Sequence, residues 1–401
     1  IDRQALGKRD RLGCLQTGAL MRVGLVIYGS LDTLSGGYLY DRKLVAHLRD
    51  AGDEVEIVSL PWRNYAAHLT DNFSASLLRR LAGSRFDVLV QDELNHPSLF
   101  WLNRRLCLHP NLPPQGEGTV PSHKGRGRRV RATPIISIVH HLRSSEMRAA
   151  WQNRLYRIPE RTYLRSIDGF IFNSKTTRGV VEKTIGESRP HVVAYPAGNR
   201  LAPSIDRDEI SARARQKRAL KIAFLGSVIP RKNLHTLLDA LALLTRKSWE
   251  LIIVGSLDTD PKYVQRIRAQ VARLGFGNEV AFAGSLDDEP LKAILRHSHL
   301  LALPSSYEGF GIAYLEGMSF GLPAIGGSDG AAHEIITHGV DGFLGGANDR
   351  NTLAAHLREL ADDREKLIQM SLAARERYLV HPTWDESAKK IRAFLRKALK
   401  G

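Results

Sequence analysis

Cysteine and long apolar runs are both scarce in this 401-residue chain. Cys14 and Cys107 are the only cysteines, so the sequence offers no disulfide framework and no cluster with the ligand spacing of a zinc site. No apolar stretch approaches the roughly 18 residues of a membrane span. The short apolar run 23–28 is typical of a first strand and not of a signal peptide. We therefore expect a cytoplasmic protein.

Acidic residues are in the minority, because 58 lysines and arginines face 42 aspartates and glutamates. The formal net charge of +16 suits nucleic acid, an anionic membrane surface or small anionic substrates, and charge alone does not choose among them. The basic residues are scattered, without a helix-turn-helix, a zinc finger or an aromatic-studded strand motif beside them. We therefore expect no nucleic-acid partner.

Short apolar strands alternate with helical segments along the whole chain, which predicts an α/β protein with parallel sheets covered by helices. The length and the 43% hydrophobic content suffice for two domains with sizeable cores. In such doubly wound domains, ligands bind at the carboxyl ends of the strands. The predicted strands are 23–28, 55–58, 88–90, 135–139, 170–172 and 192–194 in the first half, and 222–225, 251–254, 280–282, 300–303 and 324–325 in the second.

A polar, arginine-rich stretch, 203–219, separates the two sets of strands and predicts a linker. We accordingly place a first domain at 21–200, the linker at 201–219 and a second domain at 220–381. Residues 1–20 begin without methionine and show no clear period. We expect them to be a non-native or disordered extension, with Met21 as the natural start.

The most informative segment is 305–317, in which Glu308 and Glu316 flank a glycine turn. A strand precedes this segment and a helix is predicted over 312–320, so the chain reverses direction through Gly309–Gly311. Free amides and the positive dipole end at that helix start favour an anion such as a phosphate. Carboxylates on either side suit the hydroxyl groups of a sugar and of a ribose. The segment therefore predicts a site for both ends of a nucleotide sugar.

This segment resembles the donor-site signature of family 4 glycosyltransferases, which are retaining enzymes of the two-domain GT-B fold. The likeness extends to 222–227 with the following Pro-Arg-Lys-Asn, and to 321–344, where the family's Gly-Gly-x-Pro-Glu is replaced by Gly-Ala-Ala-His-Glu at 330–334. Nearly the whole chain from residue 21 to about 395 follows the family pattern. The resemblance implies two Rossmann-like domains facing a central cleft, the first on the acceptor side and the second binding the nucleotide sugar. It also implies that the final helix, 382–401, packs back on the first domain.

Arg231 and Lys232 stand at a predicted helix start, after a strand and the Gly226 turn. Cations there oppose the helix dipole, which indicates a compensating anion. Arginine can donate two parallel hydrogen bonds to a diphosphate, and lysine adds a compact positive charge. A solvated first helical turn is the alternative, and the resemblance favours the diphosphate.

Two Asp-x-Asp pairs, Asp206 with Asp208 and Asp258 with Asp260, have spacing that could hold a metal. Both lie outside the family's donor motifs, and we interpret them as helix caps or solvated charges. Because cationic side chains can neutralise the leaving nucleotide, we expect no metal and no cofactor other than the donor substrate.

In the first domain, the pair Gly36–Gly37 lets the backbone approach a ligand closely, although a plain strand-to-helix turn is the alternative. The family's first loop is glycine-rich and faces phosphate and acceptor. His140 ends a buried strand, where the family commonly places a histidine beside the reacting sugar; a structural histidine and His141 are the alternatives. Ser174 or Thr176 is predicted to cap the next helix.

The resemblance implies a metal-independent retaining transfer of a hexosyl group from a UDP- or GDP-sugar to an acceptor hydroxyl, in glycolipid or polysaccharide assembly. In the family's proposed mechanism, the acceptor attacks on the face that the nucleotide leaves, and the departing phosphate takes its proton. The protein positions groups and stabilises charge. Glu308 would orient the donor sugar, Glu316 the ribose, and His140 the 6-position of the sugar. The remaining predicted site residues are Arg231 and Lys232 on the diphosphate and the loop residues Gly36, Gly37, Gly226, Gly309, Phe310 and Gly311.

Other classes stay open. A GT-B relative acting as a phosphorylase or as a nucleotide-sugar epimerase would share the architecture, and a basic nonenzymatic nucleic-acid-binding protein is the third possibility. Donor base, sugar and acceptor are not indicated by these residues.

A membrane partner is predicted from two segments. Residues 98–106 mix large apolar side chains with arginine, and the loop 123–131 carries five cations within eight residues. Each cation contributes about 1 kcal/mol near an anionic leaflet. A helix packed on the sheet and a solvated loop are the alternatives. Since many family members act on lipid-linked acceptors, we expect peripheral, salt-sensitive attachment at the inner face of the cell membrane and a carbohydrate or lipid-linked acceptor.

Overall fold

The computed structural model describes residues 20–33, 35–108, 133–146, 148–216, 218–245 and 247–400. Within them, two six-stranded sheets lie one after the other along the chain, with orders β2-β1-β3-β4-β5-β6 and β12-β11-β10-β7-β8-β9. The first comprises β1 (Arg22–Tyr28), β2 (Glu54–Leu60), β3 (Val88–Asp92), β4 (Ile135–Val139), β5 (Gly169–Phe172) and β6 (His191–Val193). The second comprises β7 (Leu220–Leu225), β8 (Trp249–Val254), β9 (Val280–Gly284), β10 (Leu300–Leu303), β11 (Ala324–Gly327) and β12 (Gly342–Gly345).

Neighbouring strands in both sheets pair in parallel. The central strands β3, β4, β5, β10 and β11 are buried along their whole length, because helices cover both faces. This arrangement confirms the predicted α/β class with two doubly wound Rossmann-like domains.

Helices occupy the crossovers of each sheet. In the first half they are α1 (Gly36–Asp50), α2 (Tyr65–Leu69), α3 (Ala75–Gly83), α4 (His96–Leu99), α5 (Leu102–Leu108), α6 (Ala150–Leu164) and α7 (Lys175–Ile185). In the second half they are α8 (Arg207–Arg215), α9 (Leu234–Leu241), α10 (Pro261–Leu274), α11 (Asp288–His297), α12 (Ile312–Ser319), α13 (Arg350–Asp362), α14 (Arg364–Leu379) and α15 (Trp384–Ala398).

The stretch predicted as a linker, 201–219, is more structured than its polar composition indicates. It contains α8, whose Ile210 and Ala214 are buried. Arg213 on the same helix donates 2.9 Å and 3.3 Å hydrogen bonds to the carbonyls of Gly321 and Arg296. These bonds explain how an arginine-rich helix is held against the second domain.

The predicted caps are visible in the structure. Asp206 and Asp260 accept hydrogen bonds from backbone amides at the starts of α8 and α10. Ser174 accepts one from the amide of Thr177 and caps α7. Thr176 has a different role, described below.

Of the two segments predicted to contact a membrane, only residues 98–106 lie within the described part of the chain. Leu99 and Leu102 are buried in the first domain, so residues 98–106 pack mainly inward, although Trp101 is 46% exposed. The basic loop 123–131 and the extension 1–19 lie outside the described residues. None of the helices in the described part of the chain has the length and apolarity to cross a membrane.

The last helix, α15, returns to the first domain. Its Trp384, Ile391 and Leu395 belong to the hydrophobic cluster that includes β1, α1 and β3. Arg392 adds an ion pair with the buried Asp53, with Nε 2.6 Å from Oδ2. The start of α15 is fixed by a capping box.

We predict that Ile391→Ala lowers the free energy of unfolding of the first domain by about 2–5 kcal/mol, because the side chain is 1% exposed and the change leaves a cavity. Denaturant unfolding followed by fluorescence measures the loss. Lys390→Ala, an exposed neighbour, is the control and should change stability by less than about 0.5 kcal/mol. Equal small effects would show that α15 is not docked.

Candidate active site

The predicted site residues lie on loops that follow the carboxyl ends of strands in both sheets, and two of these loops meet. A Cβ atom added to Gly309, after β10, would lie 2.5 Å from the carbonyl oxygen of His140, after β4. Ser174 Oγ donates a 3.2 Å hydrogen bond to the carbonyl of Gly309. Glycine at 309 is therefore required by the close approach of the two domains.

Glu308 is buried and lies at the centre of a charge cluster. Its carboxylate forms an ion pair with Lys232 Nζ and accepts a 2.7 Å hydrogen bond from Ser305 Oγ. Arg231 NH1 lies 3.8 Å from the second carboxylate oxygen and donates a 2.7 Å bond to the carbonyl of Tyr307. The structure thus brings together the two predicted diphosphate-binding cations and the predicted sugar-orienting carboxylate.

Burial and charge act in opposite directions within this cluster. Burial alone would raise the pKa of Glu308, but the cations of Lys232 and Arg231 lower it below its usual value. Burial lowers the pKa of Lys232, although the carboxylate of Glu308 opposes the change. Each partner therefore favours the charged form of the other against the effect of burial.

The two cations lie on a short 3₁₀ helix, Pro230–Lys232, and α9 begins two residues after Lys232. Asn233 separates these helices in a left-handed conformation, with φ of 60°. The carbonyl of Arg231 accepts a 2.9 Å bond from the amide of Ser306, which joins this turn to the Glu308 loop. A Cβ on Gly226 would touch the side chain of Lys232 at 3.4 Å, so this glycine lies beside the lysine stem.

The predicted glycine turn leads directly into α12. Gly311 caps this helix with φ of 106°, and a Cβ there would collide with the ring of Tyr314. Phe310 is buried, with its ring 5.6 Å from that of Tyr195 and 5.8 Å from that of His381. Contacts of Phe310 with a substrate would therefore come from its backbone.

Glu316 lies on α12 and is separated from the Glu308 cluster. Its Oε1 accepts a 2.9 Å hydrogen bond from Arg200 Nε, and Arg200 NH1 also bonds Asp288 at 2.7 Å. Burial raises the pKa of Glu316, and Arg200 partly offsets this effect. Sequence reasoning missed Arg200, which follows β6 in the connection between the domains and carries no motif.

His140 follows β4, and Asn173 Nδ2 donates a 2.8 Å bond to its carbonyl. Its Nε2 lies 3.6 Å from Oδ1 of Asp41, an ion-pair distance longer than a hydrogen bond. A Cβ on Gly37 would lie 3.2 Å from the imidazole, and one on Gly36 would lie 3.5 Å from the side chain of Ile312. The glycine pair therefore occupies the space between His140 and the start of α12.

The charge of His140 is set by its neighbours. Burial lowers its pKa, but the carboxylates of Asp41, Asp92 and Glu93 outweigh burial and raise the pKa to about 9. Burial and the charge of Asp41 together raise the pKa of Asp92. Sequence reasoning missed Asp41, because a charged residue inside an amphipathic helix is ordinarily solvated, whereas this one is fully buried.

His141, the alternative candidate, faces a different neighbourhood. Its Nε2 lies 3.2 Å from Glu146 Oε1, and its ring centre is 6.3 Å from that of Tyr307. It is half-buried at the junction of the domains. Its side chain therefore pairs with Glu146 in the loop before α6, whereas His140 pairs with Asp41.

Two clusters of buried side chains could offer ligands to a metal ion. In each, atoms of three residues lie within 4.8 Å of one another among the described residues. Their members are Asp41, Asp92 and His140 in one, and Glu93, His96 and Glu160 in the other. In the first cluster, a protonated imidazole already supplies positive charge to the carboxylates.

The altered loop 330–334 also has a defined position. Gly330 forms a bridge with Glu308, and the Glu334 carboxylate crosses to the first domain. There it accepts bonds from the amides of Lys175 at 3.0 Å and Thr176 at 2.7 Å, and from Thr176 Oγ1 at 2.6 Å. A carboxylate at the start of α7 also suits the helix dipole. Glu334 therefore ties the Glu308 loop to the first domain.

Comparison with known proteins gives a consistent result. Residues 206–377 match the family described as Glycosyl transferases group 1. A GDP-mannose-dependent alpha-(1-6)-phosphatidylinositol monomannoside mannosyltransferase of Mycobacterium tuberculosis is 28% identical over 49% of this chain and 55% of its own length. A D-inositol 3-phosphate glycosyltransferase of Jonesia denitrificans is 29% identical over 42% of this chain and 40% of its own length. The chain thus spans about half the length of the curated relatives it matches.

Similar solved structures cover almost the whole chain. Anabaena HepE, crystallised with UDP and glucose, has a TM-score of 0.68 and 19% identity over 94% of this chain and 99% of its own. Sucrose-phosphate synthase of Thermosynechococcus elongatus has a TM-score of 0.75 and 18% identity over 95% of this chain and 99% of its own. The fold is therefore GT-B, and the matched segment within it carries the sequence pattern of Glycosyl transferases group 1.

Proposed function

We propose that this protein is a retaining glycosyltransferase that moves a hexosyl group from a UDP- or GDP-sugar to an acceptor hydroxyl in glycolipid or polysaccharide assembly. The observation that carries the proposal is the cluster of the buried Glu308 with the partly buried Lys232 and Arg231 beside the start of α12. It lies in the segment that matches Glycosyl transferases group 1. The UDP and glucose bound to HepE and the GDP-mannose dependence of the mycobacterial relative support this donor class.

The cluster suggests how a donor is accepted. Without ligand, Glu308 neutralises Lys232 and Arg231. A donor diphosphate would bring its own negative charge to these cations, which would release carboxylate oxygens of Glu308 for the hydroxyl groups of the sugar. Exchange of one anion for another avoids leaving a buried charge unpaired.

In the transfer step, the chain acts by position and charge. Arg231 and Lys232 stabilise the negative charge that grows on the leaving diphosphate, which gives electrostatic catalysis without a metal requirement. The acceptor hydroxyl forms its bond to the anomeric carbon on the face where the bond to the diphosphate breaks, and the proton passes to the leaving phosphate. His140, as an imidazolium, faces the donor sugar from the first domain. Glu316 binds the ribose after release from Arg200.

Several outcomes distinguish the related functions. Nucleotide release that requires an acceptor alcohol supports transfer. Phosphate-dependent turnover would indicate a phosphorylase, and turnover of the nucleotide sugar without an acceptor would indicate an epimerase. Polynucleotide binding with no nucleotide binding would favour the nonenzymatic basic protein.

We predict that Arg231→Ala weakens binding of the preferred nucleoside diphosphate by about 1.5–3 kcal/mol, the range for a charged hydrogen bond. Titration calorimetry with UDP and GDP in the presence of EDTA measures it and tests metal independence of binding. Arg266→Ala, an exposed arginine on α10, is the matched control and should bind normally. Unchanged affinity in a folded Arg231→Ala/Lys232→Ala protein would remove both residues from the site.

The two glutamates should differ when mutated. We predict that Glu308→Gln impairs turnover and donor-sugar choice without weakening nucleotide binding, since this residue is assigned to the sugar and its carboxylate competes with the diphosphate for Lys232 and Arg231. Glu316→Ala should weaken binding of the nucleotide itself by about 1 kcal/mol or more, the size of a lost hydrogen bond. Calorimetry and steady-state kinetics on both variants separate the effects. Equal losses of nucleotide affinity would contradict the assignment.

The protonation of His140 gives a pH prediction. Its pKa of about 9 in the folded state exceeds the usual 6.5. The contribution of the charged His140 imidazole to the free energy of unfolding is therefore fully present below pH 6.5, and it is lost as the pH rises through about 9. If catalysis uses the imidazolium, kcat/KM should fall over the same alkaline range.

Asp41→Asn should lower the pKa of His140 and move this fall in kcat/KM to lower pH. NMR titration of the imidazole and a pH–rate profile measure the two shifts. Asp50→Asn, an exposed aspartate at the end of the same helix, should leave both unchanged. An alkaline limb at the same pH in Asp41→Asn would show that His140 is not the titrating group.

A further inference from the structure

Helix α6 is apolar on the face that points away from the protein. Trp151, Leu155 and Ile158, which we call the α6 stripe, are 64%, 58% and 64% exposed. Their spacing of four and three residues places them along one side of the helix. The opposite side is buried through Tyr163 and Leu164. An exposed apolar row of this kind marks an interaction site.

Arginines border the stripe. Arg154, Arg157, Arg161 and Arg165 are exposed on the same helix or directly after it. The acidic residue of this segment, Glu160, is buried and accepts a 3.0 Å bond from the amide of Ser144. The outward face of α6 is therefore both apolar and strongly cationic.

The stripe is close in sequence and structure to the candidate active site. Trp151 lies ten positions after His141 in the sequence. Along this connection, Glu146 pairs with His141 at 3.2 Å and with Arg148 at 2.6 Å, and Arg143 stacks on Tyr156 of α6 at 4.7 Å. These contacts hold the start of α6 beside the first-domain side of the cleft.

We propose that the α6 stripe and its arginines are the docking surface for an anionic lipid bilayer, on which α6 lies parallel to the membrane plane. A helix with arginines beside tryptophan and aliphatic residues has the composition of such interfacial helices. The proposal deepens the proposed function, on which it rests for its purpose: a bilayer at α6 would bring lipid-linked acceptors to the cleft.

Charge decides between a bilayer and a second copy of the chain. A symmetric dimer through the stripe would bring the arginines of both copies together, because each copy contributes the same patch. Anionic lipid headgroups neutralise these arginines, and the boundary of the acyl chains accepts the tryptophan ring and the aliphatic side chains. A bilayer therefore accommodates both the arginines and the apolar side chains of this surface.

Flotation of the full chain with vesicles tests the proposal. Binding should require phosphatidylglycerol in phosphatidylcholine vesicles and should decrease with salt. Arg154→Gln/Arg157→Gln/Arg161→Gln should weaken binding by roughly fivefold per arginine, the effect of a cation near an anionic surface. Trp151→Gln/Leu155→Gln/Ile158→Gln should abolish the binding that persists at high salt.

Two variants of the second domain are matched controls. Lys262→Gln/Arg266→Gln/Arg273→Gln removes the same charge from exposed positions of α10, and Leu379→Gln/Val380→Gln removes exposed apolar side chains at the end of α14. Both should bind vesicles like the unmodified protein. Thermal unfolding of every variant establishes that it is folded.

Nucleotide binding separates this proposal from the proposed function. The α6 variants should bind UDP or GDP with unchanged affinity in calorimetry. Vesicle binding without nucleotide binding would support the surface and contradict the transferase. Absence of wild-type binding to phosphatidylglycerol vesicles at low salt would overturn the bilayer proposal. So would a dimer in solution that the stripe variant converts to a monomer, which would assign the stripe to self-association.

Discussion

The site depends on one largely buried ion pair, that between Glu308 and Lys232. It joins the loop after β10 to the turn after β7, and Arg231 strengthens it through the carbonyl of Tyr307. Removal of one partner from a buried pair costs about 3–5 kcal/mol, because the other charge is left uncompensated. Each charge in this pair therefore requires the other, or a replacement ion, to offset the effect of burial.

The same loop determines how the domains meet. Gly309 touches the backbone of His140, and Gly330 pairs with Glu308 while Glu334 reaches the start of α7. An anion that rearranges the Glu308 cluster would therefore act on the residues that bridge the cleft. Such a rearrangement would couple donor binding to the position of the first domain through the two loops that carry Glu308 and Glu334.

Sequence patterns predicted the fold, since strand periodicity is a local signal, and three residues chosen from local motifs, Glu308, Arg231 and Lys232, lie together in the structure. They did not reveal Arg200, Asp41 or Asp92, which matter through contacts made across the fold. Asp41 illustrates the limit: its position in an amphipathic helix indicates solvent, and only the approach of β4 buries it against His140. The strand β12, Gly342–Gly345, was also missed because its two glycines have low strand propensity. Helix α8, in the predicted linker, was missed because its sequence is polar and rich in arginine. The contacts that hold it, such as the hydrogen bonds from Arg213 to two backbone carbonyls, are made across the fold.

Two kinds of positive charge can be distinguished in this chain. The side chain of Lys232 is only 14% exposed and pairs with the buried Glu308, so salt screens this interaction less than an exposed one. The arginines of α6 are exposed, and their attraction to anions falls within a Debye length of about 8 Å at physiological ionic strength. Salt should therefore release the protein from an anionic surface before it weakens diphosphate binding. The cationic residues behind the net charge of +16 thus differ in burial. Their burial determines how strongly salt weakens the binding of each group to an anionic partner.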